Sequence, residues 1–151
     1  MNNLYQILDE LRELLLVSPF TNEVTFGEIS EYDLSKKTNF PLVHISIEDV
    51  VIDEMTIDFN INVVACDILD VNKEIAADKF LGNDNMQDIL NAQLNVITDV
   101  NNFFRNGDLR ENRFVMIDES VRATPFLDEK PNQLAGWEAT VSLRTAMQDK
   151  C

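Results

Sequence analysis

The sequence predicts an α+β fold, a mostly antiparallel sheet of four to five strands with two amphipathic helices packed on one face. Three observations carry that expectation. Residues 55–66 alternate apolar and polar side chains, with Met55, Ile57, Phe59, Ile61, Val63 and Ala65 on one side and Thr56, Asp58, Asn60 and Asn62 on the other. A side-chain period of two marks a strand with one face buried and one face wet or in contact with a partner. Trp137, Ala139, Val141 and Leu143 repeat the pattern against Glu138, Thr140, Ser142 and Arg144. Two other stretches instead place apolar residues every three to four positions, the period of a helix.

The first of these is 4–17, where Leu4, Ile7, Leu8, Leu11, Leu14 and Leu15 form one stripe; Asn2 or Asn3 can cap it, and Ser18-Pro19 stops it. Residues 23–30 predict a short strand, weakened by Gly27. The polar run 31–41 ends in Phe40-Pro41 and reads as a loop, or as an arm able to reach a neighbouring subunit. Residues 42–48 predict a strand with Val43, Ile45 and Ile47 on one face and His44 on the other, and Asp53-Glu54 turns the chain into the long strand 55–68. A mixed loop, 69–84, leads to the second helix, 85–105, whose stripe is Met86, Ile89, Leu90, Leu94, Ile97, Val100 and Phe104 and whose stop is Asn106-Gly107. Residues 114–118 predict a further strand, 125–136 a loop punctuated by Pro131, and 137–146 the closing strand. Hairpin-like spacing on both sides of the second helix favours antiparallel pairing. The chain of 151 residues reads as one domain, 1–151.

Charge narrows the function classes. Twenty-seven acidic against twelve basic side chains give a net charge of −15. Gripping DNA or RNA requires clustered Lys and Arg to neutralise phosphates, and Lys36-Lys37 is the one adjacent pair of them. The same field weakens adsorption to anionic membranes. It does not prevent a duplex from passing nearby, because an acidic wall repels phosphates without holding them. No targeting segment or membrane span is expected, since charges such as Asp9, Glu10, Arg12 and Glu13 interrupt every apolar run. Cys66 ends the alternating strand and Cys151 ends the chain, an arrangement that favours free thiols in a reducing compartment over a bridge.

Catalytic patterns are not found. His44 is the single histidine, and it has no marked nucleophile or orienting carboxylate. Cys66 and Asp67 are neighbours on a strand and point to opposite faces, while Asp67, Asp70 and Asp78 lack the spacing and central glycine of a calcium loop. Four glycines in the whole chain leave no Gly-rich phosphate loop, and Ser35-Lys36-Lys37-Thr38 lacks the glycines of one. Asp53-Glu54 and Asp118-Glu119 read as solvated turn acids. No cofactor, metal or enzymatic activity is expected. The candidate functional surface is instead the polar side of the sheet, Asp58, Asn60, Asn62, Glu138, Thr140 and Ser142, as a subunit interface or channel lining, with Lys36 and Lys37 added from the 31–41 arm. The outer face of the second helix, Gln87, Asp88, Asn91, Asn95, Asp99 and Asn102, is rich in short amides that suit packing of identical subunits or contact with water. Trp137 reads as a core anchor at a strand start.

The order of elements and several strings resemble the tail-completion, tail-terminator and neck-ring proteins of double-stranded-DNA tailed bacteriophages. The strings are Ile57 to Asp67, then Asp67-Ile68-Leu69-Asp70, the helix Met86 to Leu94, and the closing strand Leu134 to Arg144 with its Gly136-Trp137 start. The resemblance covers most of residues 2–147. It implies a non-enzymatic virion protein, assembled in the host cytoplasm, that forms a closed ring, often six- or twelve-fold, at the head–tail junction or the top of the tail. Such a ring contacts neighbouring neck or tail proteins and leaves an axial passage for the genome. An alternative of another class is a small acidic module, of immunity or DNA-mimic type, that caps a basic partner. Such a module binds with salt-sensitive affinity as a monomer or dimer.

Overall fold

The computed structural model describes residues 3–27, 40–69, 80, 85–106, 114–117, 120–128 and 133–146. In chain order these form α1 (Asn3–Val17), β1 (Glu23–Phe26), β2 (Leu42–Ile52), β3 (Thr56–Ile68), α2 (Met86–Asn106), β4 (Phe114–Met116), β5 (Ala123–Asp128) and β6 (Leu134–Ala146). The fold is α+β as the periodicities predict, but the sheet has six strands rather than four to five. Its order is β1-β2-β3-β6-β4, with β5 also paired to β6. All pairs are antiparallel except β1 with β2, which is parallel.

β3 and β6 form the spine. They pair without a slip from Thr56↔Ala146 to Ile68↔Leu134, so the two alternating patterns read from sequence lie side by side with their polar faces together. β2 joins β3 through a tight turn in which the Asp53 N–H donates to Thr56 O at 2.9 Å and the Glu54 N–H donates to Asp53 Oδ1 at 2.7 Å. Between Ile47 and Asp49 the β2–β3 register shifts by one residue. A bulge of this kind places two consecutive side chains, here Glu48 and Asp49, on the same face.

The extra strand is β5, in a stretch expected to be loop, and its interior Pro125 is the reason it escapes a sequence pattern. Among the described residues β5 pairs only with β6, and Pro125 stands opposite Trp137. Backbone groups of a strand alternate in direction. The Ile117 N–H donates to Ser142 O at 3.1 Å, so even-numbered residues of β6 point towards this edge and Trp137 points away from it. Pro125 therefore occupies a position where no ladder bond is lost, the one setting in which an edge strand accepts proline. β4 and β5 lie end to end along one edge of β6, Met116 opposite Leu143 and Ala123 opposite Ala139.

Both helices cover one face. Ile7, Leu11 and Leu15 of α1 and Val96, Ile97, Val100 and Phe104 of α2 pack with Val43, Ile45, Phe59, Ile61, Val63, Ala65, Ala139, Val141 and Leu143 in one cluster. Each such Leu or Ile contributes about 1.5–3 kcal/mol by leaving water. Two residues of the predicted apolar stripes sit elsewhere: Leu94 is 41% exposed, and Met55, in the hairpin turn, is 71% exposed. The stripe of α2 is instead completed by Gln93, 1% exposed. Trp137 is the expected anchor; half-buried against this core, it donates from Nε1 to the Leu90 carbonyl of α2 at 2.7 Å. Gly136 beside it permits the close approach of β6 to β3, since a Cβ there would lie 1.8 Å from Ala65 O.

Candidate functional site

The six sheet residues predicted from alternation converge. On the face away from the helices, Asp58 stands opposite Arg144, Asn60 opposite Ser142, and Asn62 opposite Thr140, with Glu138 one rung further along β6. The β2 bulge adds Glu48 and Asp49 to this group, two residues that the sequence pattern does not reveal because the bulge shifts the period of β2. Lys36 and Lys37, the other predicted members, and the 31–41 arm apart from Phe40 and Pro41, lie outside the described residues.

These side chains bind each other rather than standing free. Arg144 grips Asp58 with two parallel bonds, Nε to Oδ1 at 2.8 Å and an Nη to Oδ2 at 3.0 Å. Ser142 Oγ donates to Asn60 Oδ1 at 2.5 Å, and Asn60 Nδ2 donates on to the Asp49 carboxylate. Asn62 Nδ2 donates to Glu138 Oε1 at 3.0 Å, and Thr140 Oγ1 donates to Glu48 Oε1 at 3.1 Å. The result is a cross-strand lattice over β2, β3 and β6, in which every donor named meets an anionic or amide oxygen. The Arg144 hydrogen bonds hold the Asp58 carboxyl below the usual carboxylate range, with the guanidinium charge assisting and desolvation opposing. Asn62 is 5% exposed, and its Oδ1 has no hydrogen-bond partner.

The polar character is confined to one half of this face. Towards the other end Leu42, Cys66 and Leu134 form a second buried cluster with Phe40 against it. His44, expected on a polar face, is fully buried. Its Nε2 faces the Gly27 carbonyl at 2.8 Å and its Nδ1 faces Thr25 Oγ1 at 2.7 Å. A carbonyl only accepts, so Nε2 carries a proton, and in the neutral ring Nδ1 accepts from the threonine hydroxyl. Gly27 holds a φ of 140°, open to glycine and strained for other residues. His44 thus ties β2 to the end of β1. Beyond Cys66, burial pushes the Asp67 carboxyl up, partly offset by the hydrogen bond from the Ile68 N–H.

At the β4/β5 edge, the chain between the two strands leaves a shallow cleft of about 500 Å³ lined by Ser120, Arg122, Thr124, Glu138, Ala139 and Thr140. By the alternation of β6, the backbone N–H and C=O of Thr140 point into the gap between the Ser142 and Glu138 rungs. A second cleft of about 340 Å³ lies on the helix side, between α2 and Ser120, Val121 and Ala123. Among the described residues no group of three or more His, Cys, Asp or Glu side chains gathers to hold a metal ion. No helix among them is long and apolar enough to cross a membrane. The chain matches no protein-family model and no curated protein.

Proposed function

We propose that this protein is a structural component of a tailed-phage virion that assembles as a closed ring at the neck, the head–tail junction or the tail top. Neighbouring rings stack on it, and an acidic axial passage admits the genome. The observation that carries this reading is the hydrophilic half-face of the sheet. Apart from the buried Asn62 Oδ1, its amides, hydroxyls and carboxylates are tied to one another, so the surface is acidic and chemically quiet. Such a surface suits a conduit for a polyanion, since carboxylates repel phosphate and the guanidinium of Arg144 is already occupied by Asp58. Both helices lie on the opposite face, while on this face the end at Leu42, Cys66 and Leu134 is closed. In a closed belt the thicker layer has more room on the outside, which turns the hydrophilic half-face inward. The work proposed is architectural, with no bond made or broken.

The test is the state of the protein at micromolar concentration, followed by negative-stain imaging and by its presence in purified particles. Annular assemblies of uniform size are expected. A strictly monomeric species that never enters particles overturns the reading. If that monomer also holds one basic protein, with affinity falling steeply as salt rises, the acidic capping module takes its place.

A further inference from the structure

The two lateral edges of the sheet match each other in sense and in backbone phase, and we infer that the β2 edge of one copy pairs with the β4 edge of the next. This rests on the ring reading and specifies its joint. β1 covers β2 only from Leu42 to Ile45, so among the described residues the segment from Ser46 to Ile52 has no strand on the side away from β3. At the same end of the sheet β4 is the outermost strand on the other side, with no further strand outside it among the described residues. Natural edges are commonly blunted by charges, Pro or a bulge. The β2 edge has its bulge and acids at Glu48 and Asp49 but no Lys or Pro over 42–56, and beyond the bulge it exposes Val50, Val51 and Ile52.

The sense is right. β2 runs antiparallel to β3, β3 to β6 and β6 to β4, so β2 and β4 of one copy run in opposite directions. A rotation about an axis roughly along the strands preserves each direction, and β2 of one copy then meets β4 of the next antiparallel. The phase is right as well. The Asp53–Thr56 bond fixes which groups of β2 turn towards β3, leaving the N–H and C=O of Val50 and Ile52 directed outward. On β4 the Ile117–Ser142 bond likewise leaves those of Phe114 and Met116 outward. Val50 and Met116 share one rung and Ile52 and Phe114 another, with Val50, Ile52 and Met116 on the helix side of the sheet. Joined in this way, or shifted by an even number of residues, the face that bears the polar set continues from copy to copy, with exposed Val51 and Val115 at the seam on that side. An odd shift turns it over.

The charges are unequal. The β2 side carries exposed Glu48, Asp49, Asp53 and Glu54 and no Lys or Arg over 42–56, while residues 113–122 of the opposite edge balance Asp118 and Glu119 with Arg113 and Arg122, the last of them exposed. Such a joint is head-to-tail, uses two different edges, and closes if the rotation closes.

The experiment uses full-length chains carrying Cys151→Ser, so that buried Cys66 is the one native thiol left. Val51→Cys and Val115→Cys chains, whose positions are 51% and 61% exposed and lie on the polar side, are mixed and oxidised. Adjacent strands are about 4.7–4.9 Å apart, within disulfide reach. A heterodimer is expected from the mixture, and a ladder of multimers from the double variant. Asp49→Cys with Val115→Cys, and Val51→Cys with Ile117→Cys, cover a two-residue shift. Val50→Cys with Val115→Cys puts the thiols on opposite faces, and roughly tenfold less product is expected. Annular assemblies with no same-face pair crosslinked overturn the edge joint and leave the ring reading standing. Same-face crosslinking in open chains without rings upholds the joint and overturns the ring. Equal product from the opposite-face control overturns the joint.

Discussion

At the scale of single residues, Gly136 is the position whose identity the structure dictates most sharply. The 1.8 Å approach of a notional Cβ to the Ala65 carbonyl is to backbone in the central strand pair, so no side chain can give way. Gly136→Ala is expected to cost about 3 kcal/mol, roughly 6–12 °C in Tm, seen by calorimetry; an unchanged Tm contradicts that contact. Two carboxylates make opposite predictions about acid. Asp58 has a lowered pKa, so its pairing with Arg144 stabilises the fold above the unfolded carboxylate range and is lost as pH falls through the folded value. Arg144→Ala should lower Tm at pH 7 and leave it unchanged once Asp58 is protonated. Asp67 has a raised pKa, so its ionised form costs stability as pH rises through the carboxylate range. Asp67→Asn keeps an oxygen for the Ile68 N–H and should raise Tm at pH 7 by up to about 2 °C, with no gain near pH 3.

At the scale of elements, α2 shows how a helix can keep its predicted span and still rotate part of its stripe. The expected Leu94 is 41% exposed, whereas Gln93 is 1% exposed with its Oε1 unpartnered and its Nε2 reaching Phe20 O at a long 3.4 Å. An unsatisfied buried acceptor costs about 1–3 kcal/mol. Gln93→Leu should therefore gain about 1 kcal/mol, some 2–4 °C in Tm, and a fall in Tm would show that the Phe20 bond outweighs the orphaned oxygen. The strands follow the same lesson. β3 and β6 were legible because each has one face in the helical core and one polar face, which imposes the period of two. β5 was not, since Pro125 reads as a breaker unless the direction of its missing N–H is known, and that depends on the register with Trp137. Glu48 and Asp49 were missed for a related reason, because the bulge that brings both onto the polar face exists only relative to β3.

At the scale of the whole molecule, charge and shape act together. A net charge of −15 on a chain of 151 residues repels itself, and screening should relieve the repulsion. Tm at pH 7 is expected to rise between low salt and about 0.5 M NaCl, where the Debye length falls to a few ångströms; a steady fall would mean that attractive pairs such as Asp58–Arg144 dominate. The candidate site was legible as a set, since Asp58, Asn60, Asn62, Glu138, Thr140 and Ser142 do meet on adjacent strands. Its limits were not, because nothing local to Leu42, His44, Cys66 or Leu134 announces that this half of the same face is closed.

By itself the sequence determined the α+β class, both helices, the two long strands, the acidic balance and the hydrophilic set, all properties carried by side-chain period and composition within one stretch of chain. Only the tertiary structure decided the parallel β1, the divided edge of β4 and β5, the bulge and the two edges left unpaired among the described residues. Each of those depends on which segment lies beside which, and hydrogen-bond register between distant segments leaves no local trace in the order of residues.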